Sequence, residues 1–225
     1  MKNRTLRIML KWGIPLLLAP ALVLLGAVVF QEKQHLFISF MAAILAVLLF
    51  FTGFERKQVG TRRMVIVAVM TALCIAGRFI PFFKPVTAIT VIAAVYLGRE
   101  SGFLVGAMAA LLSNFYFGQG PWTAFQMLSW GLIGWFAGLF ADPLKRHRAL
   151  LLLYGVLSGI AYSLLMDVWT VMSFHGQFTL PLYLAAAATS MPHMLLYAVS
   201  NFLFLWWMAK PFGDKLERIR IKYGI

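Results

Sequence analysis

The residues best suited to recognising a small molecule lie in one uncharged stretch, NFYFGQGPWTAFQMLSWG, which runs from Asn114 to Gly131. Trp122, Gln126 and Trp130 are spaced four residues apart, so a helix would present them on one face. Asn114 closes the apolar run that precedes them. Aromatic faces with a few amides suit a flat, weakly charged organic ligand. The pattern therefore predicts a ligand-binding wall.

The turn in the middle of this stretch has a second interpretation. Tyr116, Phe117 and Trp122 are typical of the aromatic belt at a membrane surface. A belt does not explain Gln126 or Trp130, which lie one and two helical turns deeper. We therefore expect Phe117 and the wall beneath it to contact a ligand, and Tyr116 and Gln119 to belong to a loop above it.

Two charged residues lie within or beside apolar runs. Arg78 lies near the outer end of the run that begins at Met64, and Asp167 lies inside YSLLMDVWTVMSF. A charge in hydrocarbon costs about 2.5 kcal/mol or more unless it pairs or reaches the interface. Arg78 is therefore predicted to anchor an anionic or amide group, or else to reach the outer headgroups. Asp167 is predicted to bind substrate or an ion, or to be a structural hydrogen-bond acceptor.

The histidines and a second asparagine complete the candidate ligand set. His193 and Asn201 are eight residues apart and share a helix face, where they would line a cavity or join two helices. His175 lies in the loop after the Asp167 run. No Cys or carboxylate is spaced beside these histidines as metal ligands usually are, so no metal site is expected.

A stripe of small residues lies on the helix that precedes Arg78. Ala68, Ala72 and Ala76 recur every fourth residue. Small residues let two membrane helices approach closely, where lipid supplies no hydrophobic drive for association. The stripe predicts a helix-docking face, although alanine is also simply common in membrane spans.

Apolar helices must position all these residues. The chain of 225 residues is 62% hydrophobic and 12% charged, well away from soluble composition, so we expect an all-α polytopic membrane protein. The N-terminal run is long for a cleaved signal peptide and is interpreted as a retained span.

A basic segment, ERKQVGTRR, divides an N-terminal hairpin with its linker (1–61) from a six-helix core with a basic tail (62–225). The candidate spans are 12–30, 36–54, 64–80, 86–97, 103–115, 122–140, 150–172 and 181–208, of which the fourth and fifth are short and would form either tilted helices or one re-entrant pair.

The basic residues that give the chain its net charge of +13 are distributed unevenly between the two sides of the membrane. With the N-terminus placed inside, every Lys and Arg lies on the cytoplasmic side except Lys33, Arg78 and Lys84. This bias follows the positive-inside rule and predicts a plasma-membrane protein with both termini cytoplasmic. The basic residues lie between spans and form no soluble basic face, so nucleic-acid binding is not expected.

Motifs for soluble catalysis are missing from the sequence. It contains no GxxxxGK[ST], HExxH or GxSxG, and only seven Asp and Glu residues. The leading expectation is a binding subunit for transport, with no catalytic residue. An intramembrane enzyme acting on a lipid or isoprenoid would need Asp167, His175 or His193 as acid and base. A channel or secondary transporter would be expected to show charge rings or an inverted repeat, and neither is apparent.

Several features together resemble a known family. The Ala68-x-x-x-Ala72 pattern follows a basic segment and precedes AVYLGRESGFLVGAMAALLSNFYFGQGPW and QMLSWGLIGWFAGLF. From about Arg62 to Lys210 the chain resembles the S-components, the substrate-binding subunits, of energy-coupling factor (ECF) vitamin transporters. The extra N-terminal hairpin departs from the family's six-helix pattern.

The resemblance implies partners and roles. Ala68, Ala72 and Ala76 would contact a transmembrane coupling subunit, and two partner ATPases would use ATP and Mg²⁺, so this chain needs no cofactor. Loops 79–85, 115–121 and 173–181 would act as lids and carry the gating residues Lys84, Tyr116, Gln119 and His175. Within the family, the sequence most resembles the cobalamin-specific S-components of lactobacilli. The amides of Asn114, Gln126 and Asn201 are equally compatible with riboflavin, biotin or a queuosine precursor.

Overall fold

The protein is a bundle of helices, seen here in a computed structural model that describes residues 4–29, 35–52, 57–175 and 178–223. No β-strand occurs in these ranges, and the predicted all-α membrane fold is confirmed. The helices are α1 (Arg4–Gly13), α2 (Ala19–Val29), α3 (His35–Thr52), α4 (Lys57–Gly77), α5 (Val86–Leu97), α6 (Arg99–Phe117), α7 (Trp122–Leu139), α8 (Ala141–Arg146), α9 (Arg148–His175) and α10 (Leu180–Tyr223). A π-helical segment, Ile14–Leu18, joins α1 to α2.

The helix lengths refine the predicted spans. Within the described ranges, three helical segments are long and apolar enough to cross a membrane, judged by length and composition alone. They are Ile8–Gly26, Arg148–Phe174 and Leu180–Tyr223. The fifth predicted span is not short, because α6 has 19 residues and begins at Arg99. The last helix continues to Tyr223, beyond the predicted 181–208, although Pro192 and Pro211 lie inside it.

Apart from the six-residue α8, the shortest helix from α4 onward is α5, whose 12 residues rise about 18 Å. All of them except Tyr96 are buried, and the helix is apolar on every side, as expected for a central helix. It ends at Gly98, whose φ of 92° lies in the left-handed region that favours glycine. The turn of residues 78–85 that enters α5 begins with the buried Arg78, whereas Phe79, Ile80, Phe82 and Phe83 are exposed.

Glycines set the distance between α6 and α7. A Cβ on Gly106 would collide with the backbone of Trp130, and one on Gly134 would collide with the backbone of Gly102. Close approach of this kind is how small residues pack membrane helices. The backbone of α7 at Trp130 is therefore fixed against α6.

The bundle has two chemically different ends. We call the end that carries turns 78–85 and 118–121 the aromatic end, and the end at which α5 passes into α6 the basic end. At the basic end Lys11 Nζ lies 3.2 Å from Glu100 Oε1, and the rings of Trp12 and Trp135 are 5.0 Å apart. These contacts dock the first helix onto the core. Lys33 and Arg56 lie outside the described residues.

Candidate ligand site

A buried arginine links two helices at the aromatic end. Arg78, which follows α4, donates through Nη1 to Asn114 Oδ1 at 2.7 Å and also to the Ser113 hydroxyl. Its side chain is 9% exposed, and its Nε atom has no hydrogen-bond partner among the described residues. The positive charge is thus held by neutral oxygens of α6. Such an arrangement leaves Arg78 able to receive an acceptor from a ligand.

Asn114 extends this arrangement into a chain of amides. Its Nδ2 donates to Gln126 Oε1 at 2.8 Å and to Thr123 Oγ1 at 2.9 Å. The Thr123 hydroxyl in turn donates to Gln119 Oε1 at 2.9 Å. Gln119 Nε2 donates to the Leu111 carbonyl at 2.9 Å, so the turn between α6 and α7 is tied to both helices.

Aromatic rings cover the other side of the arginine. The Arg78 guanidinium lies 4.8 Å from the centre of the Phe117 ring and 5.4 Å from that of Trp130, within cation–π range. Trp130 stacks on Tyr162 of α9, with 4.9 Å between centroids and 14° between planes. Tyr162 meets Tyr197 of α10 edge to face at 5.2 Å. We call Arg78, Asn114, Gln126, Trp130, Tyr162 and Tyr197 the Arg78 cluster.

Lys84 brings a second cation to this region from the turn that enters α5. Its Nζ lies 5.9 Å from the centre of the Phe117 ring, and the Ser200 hydroxyl donates to its backbone carbonyl at 3.3 Å. Burial lowers the pKa of Lys84 from its ordinary value, and the nearby positive charge of Arg78 lowers it further. An anionic or carbonyl-rich ligand here would relieve that repulsion.

Asp167 lies in a different environment, beside a cavity of about 450 Å³ between α9 and α10. Its Oδ2 accepts a hydrogen bond from the Ser190 hydroxyl at 2.7 Å, and its side chain is buried. His193 is exposed and lines the same cavity, with Thr170 and Thr189. None of the residues that line this cavity belongs to the Arg78 cluster, and Asp167 lies five residues along α9 from Tyr162.

Two predicted ligand residues lie apart from the cluster. Asn201 is fully buried and donates through Nδ2 to the Gly155 carbonyl at 3.0 Å, which joins α10 to α9. Trp122 meets Trp169 of α9 edge to face at 5.7 Å, nearer the end of the bundle. The structure therefore brings Arg78, Asn114, Phe117, Gln126 and Trp130 together, places Asp167 and His193 at a separate cavity between α9 and α10, and separates Asn201 from His193.

A family model for the S component of ECF-type riboflavin transporters matches residues 58–210. The chain belongs to this family. The match spans α4 to α10, which contain the Arg78 cluster and the cavity. As an S-component, the protein is a substrate-binding membrane subunit for transport and is not an enzyme. No significant match was found among curated proteins or among solved structures. The more specific resemblance to cobalamin S-components is not confirmed, because the family model is named for riboflavin.

The small-residue stripe of this S-component faces outward. Ala68, Ala72 and Ala76 are all exposed on α4. Ala68 and Ala72 line an apolar groove of about 290 Å³, whose other wall comes from α3 with Val47, Phe50 and Phe51. The N-terminal hairpin therefore borders the stripe.

Aromatic contacts organise the loops of the S-component. Tyr116 is 73% exposed and lies 4.8 Å from Phe79, ring centre to ring centre, and Phe79 lies 5.0 Å from Phe117. The turns after α4 and α6 thus touch each other. The side chain of His175 and residues 176–177 lie outside the described part of the structure. Among the described residues, no group of three or more His, Cys, Asp or Glu is placed to hold a metal ion.

Several residues of the site were not predicted from the sequence. They are Ser113, Thr123, Tyr162, Ser190 and Tyr197. Tyr162 and Tyr197 carried a usable signal, because a hydroxyl within an apolar span needs a polar partner. Ser113 and Thr123 flank Asn114 and Trp122 but look like ordinary small residues at helix ends.

Proposed function

We propose that this S-component binds riboflavin or a closely related flavin, and delivers it for ATP-driven uptake by partner subunits. The observation that carries the proposal is the stacked Trp130–Tyr162 pair beside Arg78 and the Asn114–Gln126 amides. A flavin has a flat aromatic ring system and one edge of alternating carbonyl and N–H groups. Aromatic faces match the ring, while amides and an arginine match the polar edge.

The members of the Arg78 cluster contact one another, so flavin binding must exchange internal contacts for ligand contacts. The two rings of the stacked pair are already in van der Waals contact, with 4.9 Å between centroids. Arg78 and Asn114 already share a hydrogen bond. A ligand ring would stack on one member of the pair, and its carbonyls would replace Asn114 Oδ1 as acceptors for Arg78. The rest of the ligand would extend between α9 and α10 toward the cavity beside Asp167.

The size of that cavity supports a flavin over a corrin. At about 450 Å³ it falls within the range of about 300–1,000 Å³ that is typical of small-molecule sites. Cobalamin is several times larger than riboflavin and would require wide separation of α9 and α10. Cobalamin is therefore retained as a competitor in the binding test and is not proposed as the substrate.

The charge bias supports an orientation for this uptake. With both termini cytoplasmic, the aromatic end faces outward and the ligand enters between the loops of residues 79–85, 115–121 and 173–181. The proposed gating residues are Gln119 and Lys84 on these loops, together with Tyr116 at the end of α6 and His175 at the end of α9. Residues 1–61 act as an added hairpin that is docked on the six-helix core through the Lys11–Glu100 pair.

The partner interface is proposed to be the exposed face of α4. Ala68, Ala72 and Ala76 would receive a helix of the coupling subunit, because small side chains permit close helix approach. The groove between α3 and α4 continues this face, so Val47 of the hairpin would contact the same partner. ATP and Mg²⁺ would bind only to the two partner ATPases.

Flavin binding is tested by titrating the purified protein with riboflavin and following the quenching of flavin fluorescence. We expect saturable quenching, and flavin absorbance in the protein as purified from flavin-fed cells. Trp130→Ala should abolish saturable quenching, whereas Trp207→Ala should not, since Trp207 is 72% exposed. Saturable binding of cobalamin or biotin with none of riboflavin would contradict the proposed substrate.

Transport is tested in liposomes that contain this chain with or without an ECF module of coupling and ATPase subunits. We expect accumulation of labelled riboflavin only with the module and ATP. Uptake by the chain alone would contradict the proposed mechanism, even if riboflavin proved to be the ligand.

A further inference from the structure

A second cavity lies at the opposite end of the bundle from the Arg78 cluster. It has a volume of about 260 Å³ and lies among the end of α5, α8, the start of α9 and the middle of α10. Its inner wall is apolar and includes Ile92, Val95 and Leu151. This volume is below the range of about 300–1,000 Å³ that is typical of drug-sized ligands, so the cavity suits a smaller group.

The mouth of this cavity carries an excess of positive charge. Three cations, Lys145, Arg148 and Lys210, line it together with one carboxylate, Asp214. Lys210 Nζ pairs with Asp214 Oδ2 at 3.0 Å, and Lys145 Nζ lies 3.5 Å from Glu217 Oε2. Both carboxylates belong to α10. Among the residues that line the cavity, the only charged side chains from α8 and α9 are therefore the cations Lys145 and Arg148.

Arg148 is the cation with most unused binding capacity. Its Nη2 donates to the Trp206 carbonyl at 2.6 Å, and it pairs with no carboxylate among the described residues. A guanidinium has five N–H donors in a planar fork that fits phosphate oxygens, so a single carbonyl leaves much of the fork available. The Lys145 ammonium lies over the Tyr96 ring at 4.6 Å, which holds the second cation at the cavity.

The position of the cavity along the spans indicates that a phosphate bound there would belong to a lipid headgroup. Arg148 is the first residue of the apolar segment Arg148–Phe174, so it lies where a span meets the headgroup layer. Trp206, whose carbonyl Arg148 contacts, is 55% exposed, as an interfacial tryptophan should be. Basic pockets between membrane helices at this depth bind the headgroups of anionic lipids.

We propose that this cavity binds the phosphate of an anionic phospholipid, with Arg148 and Lys145 as its ligands and the apolar wall against the start of an acyl chain. The bound lipid would join α8, α9 and α10 at the basic end. The site is independent of the vitamin that the protein carries and of the Arg78 cluster.

The proposal is tested by thermal unfolding of the full chain in neutral detergent with added lipid. Phosphatidylglycerol should raise the unfolding midpoint by at least about 2–4 °C, and phosphatidylcholine at the same concentration should not. Inorganic phosphate and glycerol phosphate form separate arms. A rise with these soluble anions equal to that with phosphatidylglycerol would show free phosphate as the ligand and overturn the lipid assignment.

Charge-removing variants locate the site. Arg148→Gln with Lys145→Gln should abolish the shift caused by phosphatidylglycerol. Arg146→Gln is the matched control, because Arg146 is an exposed cation of α8 that does not line the cavity, and it should keep the shift. If the double variant keeps the shift, or if Arg146→Gln loses it equally, the proposal is wrong.

A measurement on the unaltered protein covers the case in which the double variant does not fold. Native mass spectrometry of the chain from vesicles of equal parts phosphatidylglycerol and phosphatidylcholine should show one retained phosphatidylglycerol. Equal retention of both lipids would overturn the proposal.

Discussion

Arg78 Nη1 donates a hydrogen bond to Asn114 Oδ1 over 2.7 Å and so joins the end of α4 to α6. No carboxylate pairs with Arg78 among the described residues, so its charge is stabilised by neutral oxygens and by the faces of Phe117 and Trp130. A charge held only by neutral groups can change partners without separating an ion pair. Arg78 can therefore bind a ligand carbonyl in place of Asn114.

Asn114→Ala should damage both stability and ligand binding. It removes one of the two acceptors for Arg78 and the donor to Gln126, and leaves the partly buried side-chain oxygen of Gln126 without this donor, which costs about 1–3 kcal/mol. We expect a lower unfolding midpoint and at least about tenfold weaker riboflavin binding, equivalent to about 1.4 kcal/mol. Thr71→Val removes a buried polar group of α4 outside the cluster and should leave riboflavin binding unchanged. Wild-type affinity in Asn114→Ala would remove Asn114 from the site.

Gln126→Ala should weaken riboflavin binding far more than Tyr116→Phe. Gln126 accepts from Asn114 at 2.8 Å inside the cluster, whereas Tyr116 is 73% exposed at the end of α6. We expect a loss of about tenfold or more for Gln126→Ala and a change of less than about twofold for Tyr116→Phe, measured by fluorescence titration. Equal small effects would assign the whole stretch to an interfacial aromatic belt.

Tyr162→Phe and Tyr162→Ala separate the ring of Tyr162 from its hydroxyl. The phenyl ring can keep the stack on Trp130, and such pairs contribute about 0.5–1.5 kcal/mol beyond their buried area. We expect Tyr162→Phe to keep most of the riboflavin affinity and Tyr162→Ala to lose it, in the same titration. If both variants bind equally well, the stacked pair is structural only.

The fold was largely predictable because membrane spans are read from uninterrupted hydrophobicity, and Gly, Pro and charges mark the breaks. The errors have physical causes. The charges of Arg99 and Glu100 led to a predicted span that begins only at residue 103. The helix includes both residues, because Glu100 is buried in a pair with Lys11. Pro211 favoured a predicted end of the last span at residue 208. The helix α10 continues past it along the basic end, where Gly213 packs against Tyr96.

The site was predictable only within single helices. Spacing placed Trp122, Gln126 and Trp130 on one face of α7, and Trp122 and Trp130 both contact α9. Their partners Tyr162 and Tyr197 depend on which helices are neighbours, and no periodicity in one span contains that information. Asn201 shows the same limit, because its partner is a backbone carbonyl of α9.

Glu100→Gln should loosen the docking of the N-terminal hairpin. The Glu100 carboxylate is buried and lies 3.2 Å from Lys11 Nζ and 3.4 Å from Arg99 Nε, so its loss leaves two cations facing a neutral amide. Removing one partner of a buried pair costs up to about 3–5 kcal/mol, and less here because Lys11 is partly exposed. We expect a lower unfolding midpoint and faster amide hydrogen exchange in α1, which carries Lys11. Glu217→Gln, at a more exposed pair, should have little effect.

Ala72→Trp should block ATP-driven uptake without affecting riboflavin binding. Ala72 is exposed on α4 beside the groove formed with α3, and a tryptophan there would fill the space that a partner helix needs. Val69→Trp adds the same bulk to the same helix at a position that is 52% exposed and does not line the groove, so it should transport normally. Uptake in liposomes with the ECF module measures the first property, and fluorescence titration measures the second. Normal uptake by Ala72→Trp would contradict the assignment of this face to the coupling subunit.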